Sequence, residues 1–303
     1  MIYNVRHLTT YRYQSFVTFA RCVLRLTPRS SAAQTVLESS VVVTPPPSQT
    51  LERTGPFGEH MLTVTVDTPH RALVIDARSR VDMHAPVVER GAGSPAWEAV
   101  RALALQSGDL GIDGPALYLY PTARTPLVAA ITDYARRSFA PRRPVLDAAF
   151  ELMTRIAEDF TFDSKATDVR TSPAEAFAAR RGVCQDFAQV MISGLRGLGL
   201  PAAYVSGYLR TIPPPGRPRL MGADAMHAWV TLWCGPERGW TAFDPTNAVL
   251  VQDSHIVVAI GRDYSDVAPI DGILLAPGEQ ELKTEVDVIP EEEPQRRGKL
   301  GTG

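Results

Sequence analysis

The sequence has no excess of charge of either sign: 31 Lys and Arg stand against 33 Asp and Glu, a formal net charge of -2. No overall field draws such a chain to nucleic acid or to an acidic membrane, so partners have to be argued from a site. Long apolar runs are missing as well. The longest, such as residues 256–260, fall far short of the roughly 20 residues that a membrane-spanning helix needs. Residues 1–7 enter an alternating pattern at once, without the basic, apolar and small-residue succession of a secretion signal. Cysteine is scarce: Cys22, Cys184 and Cys234 are an odd number at wide spacing, which suits a reducing compartment better than a disulfide framework. A cytoplasmic protein without a membrane span is the expectation.

Recognisable ligand and nucleotide motifs are also absent. Cys22 and Cys234 belong to no C-x-x-C pair, and His7, His60, His70, His84 and His255 lack ligand spacing, so neither a metal nor a cofactor is expected. There is no G-x-x-x-x-G-K-[ST], no G-x-G-x-x-G after a strand and no G-x-S-x-G. ATPase, dinucleotide-binding and serine-hydrolase readings therefore lack support.

What is present is a globular composition, 45% hydrophobic and 21% charged over 303 residues, enough for one large domain or two smaller ones. Tyr3, Val5, His7, Thr9, Tyr11 and Tyr13 share one parity, and Leu62, Val64 and Val66 repeat the habit, which predicts about five short strands and an all-β domain over residues 1–90. A helical segment is expected over residues 91–160. Thr125-Pro126 has the form of an N-cap and first helical residue before Leu127, Ala130, Ile131 and Tyr134. A second helix carries Leu146, Ala149, Phe150, Met153 and Ile156 on one face, and Ser172-Pro173-Ala174-Glu175 reads as a capping box. Residues 161–289 form the expected core, with a loop at residues 213–216, and residues 290–303 a polar, frayed tail.

Cys184 lies three residues before Phe187, which with Val190, Met191, Gly194, Leu195 and Leu198 makes a helical stripe. It falls in the first turn, where unpaired N–H groups and the helix dipole favour a thiolate. A buried, inert thiol is the commoner role for a lone cysteine, so a nucleophile also requires a base and an orienting partner. Residues 225–233 read as a strand that places His227, Trp229, Thr231 and Trp233 on one face, and residues 240–245 return after a turn. If Trp233 pairs with Trp240, Trp229 falls opposite Asp244, and His227 and Asp244 become diagonal neighbours on the same face. A one-residue slip would separate them.

Three blocks together resemble the transglutaminase-like superfamily: Arg181-Gly-Val-Cys-Gln-Asp-Phe-Ala188, Asp224-Ala-Met-His-Ala-Trp-Val230, and Gly239-Trp-Thr-Ala-Phe-Asp-Pro-Thr-Asn247. The order Cys184, His227, Asp244 matches as well. The opening Tyr3-Asn-Val-Arg-His-Leu-Thr-Thr-Tyr-Arg-Tyr13, Pro69-His70 and Gly261-Arg-Asp-Tyr-Ser-Asp-Val-Ala-Pro269 look like the bacterial subgroup with an N-terminal β region. Val183 before and Gln185 after the cysteine depart from the Gly-Gln-Cys-Trp block of animal transglutaminases, so cross-linking does not carry over.

The resemblance implies an α+β fold, an N-terminal antiparallel β domain and a papain-like core with the nucleophile at a helix N-terminus on an antiparallel sheet. It implies Cys184 as nucleophile, His227 as base and Asp244 as orienting group, acting on a peptide or amide substrate through a thioester, with hydrolysis preferred. Transfer to an amine and a non-catalytic binding scaffold are the alternatives, and self-association is open. Tyr208 as an oxyanion donor, and Gln185 and Trp229 as substrate contacts, are speculative additions. Three tryptophans, Trp229, Trp233 and Trp240, are more readily read as core.

Overall fold

The computed structural model of the chain describes residues 1–84, 93–211, 224–275 and 278–291. The predicted loop at residues 213–216 and the tail from residue 292 lie outside the described residues.

Alternation in the first 84 residues becomes six strands: β1 (Ile2–Val17), β2 (Phe19–Leu24), β3 (Gln34–Thr44), β4 (Gln49–Thr54), β5 (His60–Val66) and β6 (His70–Met83). In one antiparallel sheet β6 lies between β1 and β3; in another β5 lies between β2 and β4. The β1 row predicted to share a face points inward: Tyr3, Val5, His7, Thr9 and Tyr13 are buried and Tyr11 is half-buried. That one row serves two cores. Tyr13 packs with Val17, Leu24, Val64 and Ile75 inside the N-terminal lobe, whereas Tyr3 and Val5 join Met191 and Val230 in the larger core of the second lobe. Removing each such large side chain from water stabilises the fold by about 1.5–3 kcal/mol.

Helices follow: α1 (Trp97–Gln106), α2 (Ala129–Arg136) and α3 (Val145–Asp159). The stripe from Leu146 to Ile156 is α3, as the spacing predicts. The expected start at Thr125-Pro126 is corrected, since α2 begins at Ala129 behind an extended Val128. Thr125 is withheld from capping by other bonds. Its fully buried hydroxyl lies 2.6 Å from Thr122 Oγ1 and accepts from Arg196 Nη1 at 2.8 Å.

A short parallel pair, β7 (Thr161–Phe162) and β8 (Arg181–Gly182), brackets α4 (Pro173–Ala179) and leads into α5 (Cys184–Gly197). The capping box holds: Ser172 Oγ accepts from Glu175 N at 3.3 Å, and Glu175 Oε2 accepts from Ser172 N at 2.8 Å. Where the sequence predicts an apolar stripe, α5 is enclosed on all sides, every residue from Asp186 to Arg196 being buried. Gly194 lets α2 close in, because a Cβ there would stand 2.8 Å from the Ala135 methyl. Arg196 is tolerated inside because its guanidinium donates to the carbonyls of Tyr118, Ala202 and Arg262 as well as to Thr125.

The helix lies on a five-stranded antiparallel sheet of β9 (Ala202–Leu209), β10 (Ala225–Trp233), β11 (Trp240–Asp244), β12 (Val249–Leu250) and β13 (His255–Gly261), in the order β12-β11-β10-β9-β13. The expected α+β architecture is found. The last strands join the N-terminal sheets by pairing, while Val286 and Val288 pack in the core of the second lobe. After α6 (Tyr264–Val267), β14 (Ile270–Leu275) pairs with β2 and β15 (Gln280–Pro290) pairs with β1. These last strands cover edges that β1 and β2 would otherwise leave open. No described helix is long and apolar enough to cross a membrane.

Candidate active site

The sulfur-bearing turn is set by its neighbours. Val183 is extended, and its carbonyl accepts from the N–H groups of Asp186 and Phe187, which starts the helix with Cys184 as first residue. Asp186 in turn accepts from the Val183 N–H at 2.8 Å and from the Thr167 hydroxyl at 2.6 Å. This buried carboxyl therefore ties helix, preceding strand and the 163–172 loop together, and burial, its largest influence, pushes it above the usual carboxylate range. Cys184 is partly exposed, at the positive end of a helix.

The histidine and the aspartate come from the β10–β11 hairpin. Trp233 pairs with Trp240, Thr231 with Ala242 and Val230 with Phe243, the register that parity predicts. His227 and Asp244 meet on one face, with His227 Nε2 2.8 Å from Asp244 Oδ2. Both are buried. Cys184 is the other group that acts on the ring, and with Nε2 taken by the carboxylate, Nδ1 is the nitrogen left for its sulfur.

Electrostatics follow from that arrangement. Burial would push the His227 imidazole down, but the hydrogen bond to Asp244, then the bond to and charge of the Cys184 sulfur, outweigh it and lift the ring to about 10. Burial would also push Asp244 up, yet donors on His227, His255 and Asn247 hold it well below the usual carboxylate range. The buried carboxylate thus favours the protonated form of the His227 ring.

The carboxylate has more partners than the sequence suggests. Asn247 Nδ2 donates to Oδ2 at 2.7 Å, the backbone N–H groups of Thr246 and Asn247 donate to Oδ1 at 2.9 and 3.2 Å, and His255 Nε2 lies 3.1 Å from Oδ2. Asn247 was visible in the Asp-Pro-Thr-Asn turn, where an aspartate accepts from N–H groups two and three residues on. His255 had no local signal beyond the strand that it opens.

The other expected site residues fare differently. Trp229 is fully buried, edge-on to His255 at 5.3 Å and tilted against His227 at 6.0 Å between ring centroids. It walls in the two imidazoles. It can lie there because β9 has Gly207 beneath it, where a Cβ would stand 2.4 Å from the indole. Tyr208 is corrected: it pairs with Met226, so it stands on the face opposite His227, and its hydroxyl donates to the Leu26 carbonyl at 3.0 Å with His7 Nδ1 3.3 Å away. Gln185 is half-buried and reaches the Val169 carbonyl at 3.5 Å, the outer limit of a hydrogen bond.

His227, Asp244 and His255 place one ligand atom each within 4.8 Å of one another, a spacing that a cation could use. The donor set points to protons instead. Asn247 aims an N–H at the same oxygen, and a cation there would face that hydrogen.

Comparison with known proteins finds likenesses along nearly the whole chain. Residues 3–82 match the bacterial transglutaminase-like N-terminal region, and residues 132–245 match the transglutaminase-like superfamily. An uncharacterized protein of Mycobacterium tuberculosis is 40% identical over 295 residues, covering 95% of this chain and 92% of that one. A protein-glutamine gamma-glutamyltransferase of Pseudomonas aeruginosa is 31% identical over 130 residues, 43% of this chain and 19% of that enzyme. A solved structure from Cytophaga hutchinsonii, described as a candidate cysteine protease, superposes with a TM-score of 0.74 at 20% identity, covering 97% of this chain and 92% of that one.

Proposed function

This chain belongs to the transglutaminase-like superfamily, and on that premise we propose that it is a cysteine-dependent acyl-transfer enzyme that opens amide or peptide bonds and passes the acyl group to water. The observation that carries the reading is His227, hydrogen-bonded to the buried Asp244 at 2.8 Å, with a partly exposed Cys184 at a helix start acting on the same ring.

In the proposed cycle Cys184 yields its proton to His227 and the sulfur attacks the carbonyl carbon, forming the C–S bond. The Cys184 N–H, at the helix start, receives the developing oxyanion. As the C–N bond breaks, the imidazolium protonates the departing amine. Water then attacks the thioester as His227 takes its proton, and the proton passes to sulfur as the C–S bond breaks. Asp244 fixes the ring tautomer and steadies its positive charge. A second reading, transfer to a primary amine, draws support from the partial likeness to the Pseudomonas transferase and differs only in the acceptor. A cytoplasmic location belongs to the same proposal, and unpaired Cys22, Cys184 and Cys234 support it.

The test is the rate of alkylation by iodoacetamide from about pH 4 to about pH 9, with the modified site assigned by mass spectrometry, in the wild type and in His227→Ala. Cys184 reacting early in the acid range, and losing that reactivity in the variant, supports the reading. A thiol that behaves alike in both proteins sinks it. Fluorogenic peptide amides with and without an added alkylamine then separate water from amine as acceptor.

A further inference from the structure

We propose that His255 is a positioning residue of this site, fixing through Nε2 the Asp244 carboxylate against which His227 works. The inference rests on the roles just given to Cys184, His227 and Asp244.

Asp244 Oδ2 lies between two imidazoles, 2.8 Å from His227 Nε2 and 3.1 Å from His255 Nε2. An ionised carboxylate oxygen only accepts, so both Nε2 atoms carry hydrogen. Ser254 Oγ stands 3.1 Å from His255 Nδ1, placed to donate to it and so to select the tautomer with hydrogen on Nε2. Both ring nitrogens of a residue only 3% exposed are thereby used. Asp244 and His227 are the titratable groups seen against His255 among the described residues. Trp229 packs edge-on against the His255 ring at 5.3 Å, which holds its orientation.

The remaining donors to Asp244 come from His227 itself or from the turn that follows the aspartate, Thr246 and Asn247. His255 alone among them opens β13, which joins the sheet on the far side of β9. It anchors the carboxylate from the opposite direction, so that Oδ2 cannot follow the turn away from His227. A side chain present only to fill space there would need no donor and no Ser254 beside it.

Without the His255 Nε2 donor, Oδ2 is free to turn from His227, and the weakened His227–Asp244 bond supports the imidazolium less. The experiment compares the alkylation rate of Cys184 at about pH 5 with that at about pH 9 in wild type, His255→Phe, His255→Gln and Ser254→Ala. In His255→Phe the ratio is expected to fall about tenfold, the effect of roughly one pKa unit. His255→Gln, whose amide nitrogen donates near the Nε2 position, is expected to stay close to wild type, and Ser254→Ala to fall part of the way. A folded His255→Phe with the wild-type ratio overturns the proposal, as does His255→Gln falling equally far. Should His255→Phe not fold, an unchanged ratio in Ser254→Ala overturns it. A wild type with no acid reactivity at Cys184 instead defeats the underlying triad, and this inference with it.

Discussion

Gly182 and Asp186 approach so closely that a Cβ on the glycine would stand 2.5 Å from Asp186 Oδ2. The carboxyl fills the space that any larger residue would need, while it holds the Val183 N–H and the Thr167 hydroxyl. Gly182→Ala is therefore expected to cost about 1–3 kcal/mol by overpacking and to slow alkylation of Cys184, two residues away. Urea midpoints and iodoacetamide rates read both effects. A variant as stable and as reactive as wild type would show that the turn tolerates a methyl group.

Replacing Asp244 by Asn separates charge from shape. His227 is lifted to about 10 with the carboxylate among its supports. Asp244→Asn should bring its deprotonation down by at least about one pH unit, since the opposite charge next to the ring is gone. Nitrogen-15 histidine NMR follows the titration directly. An unmoved His227 would assign its protonation to the sulfur alone.

Two buried histidines give the pH dependence of stability opposite slopes. Burial pushes His7 down to about 4, so the unfolded chain binds more protons as pH falls from 6.5 towards 4, and stability is lost on that descent. His227, lifted to about 10, contributes stability that is complete below 6.5 and lost as pH rises towards 10. His7→Phe is expected to remove up to about 3 kcal/mol of the difference in stability between pH 7 and pH 4, the worth of the His7 shift. Urea denaturation at the two pH values measures it. Equal losses in wild type and variant would show that His7 is not the group responsible.

Arg196 tests whether a fork of donors is required inside the core. Its guanidinium serves three carbonyls and the Thr125 hydroxyl, more acceptors than the three hydrogens of a lysine can satisfy. Arg196→Lys is expected to cost about 1–3 kcal/mol by leaving buried oxygens unsatisfied. Thermal unfolding supplies the measure, and a lysine variant of wild-type stability would refute the need for the fork.

The legibility of this chain followed the range of each interaction. Parity along β1 and the pairing of Trp233 with Trp240 are local, so the inward row and the shared face of His227 and Asp244 could be read from spacing. Ser172 and Glu175 announced their own capping box. Thr125 could not announce that Arg196 would claim its hydroxyl, and so the start of α2 was misplaced. Tyr208 looked available because parity says which face a side chain takes but not what covers that face, here Leu26 and His7. The strands over residues 270–290 were visible, but which sheet they join depends on open edges at the far end of the sequence, in β1 and β2. His255 meets Asp244 only after β13 has docked against β9, a pairing with no signature in either segment.

That late pairing sets an order of events during synthesis. As the ribosome releases the chain, β1 and β2 emerge before the helices yet wait for β15 and β14, the last described strands, to pair with them. Contacts of such long sequence separation form slowly and leave strand edges open in the interval. A nascent chain halted near residue 269 would already carry Cys184, His227, Asp244 and His255, but beside a lobe in which β1 and β2 each still lacked one neighbouring strand. Completion of the N-terminal lobe thus follows synthesis of the second lobe's helices and sheet, although most of its strands precede them.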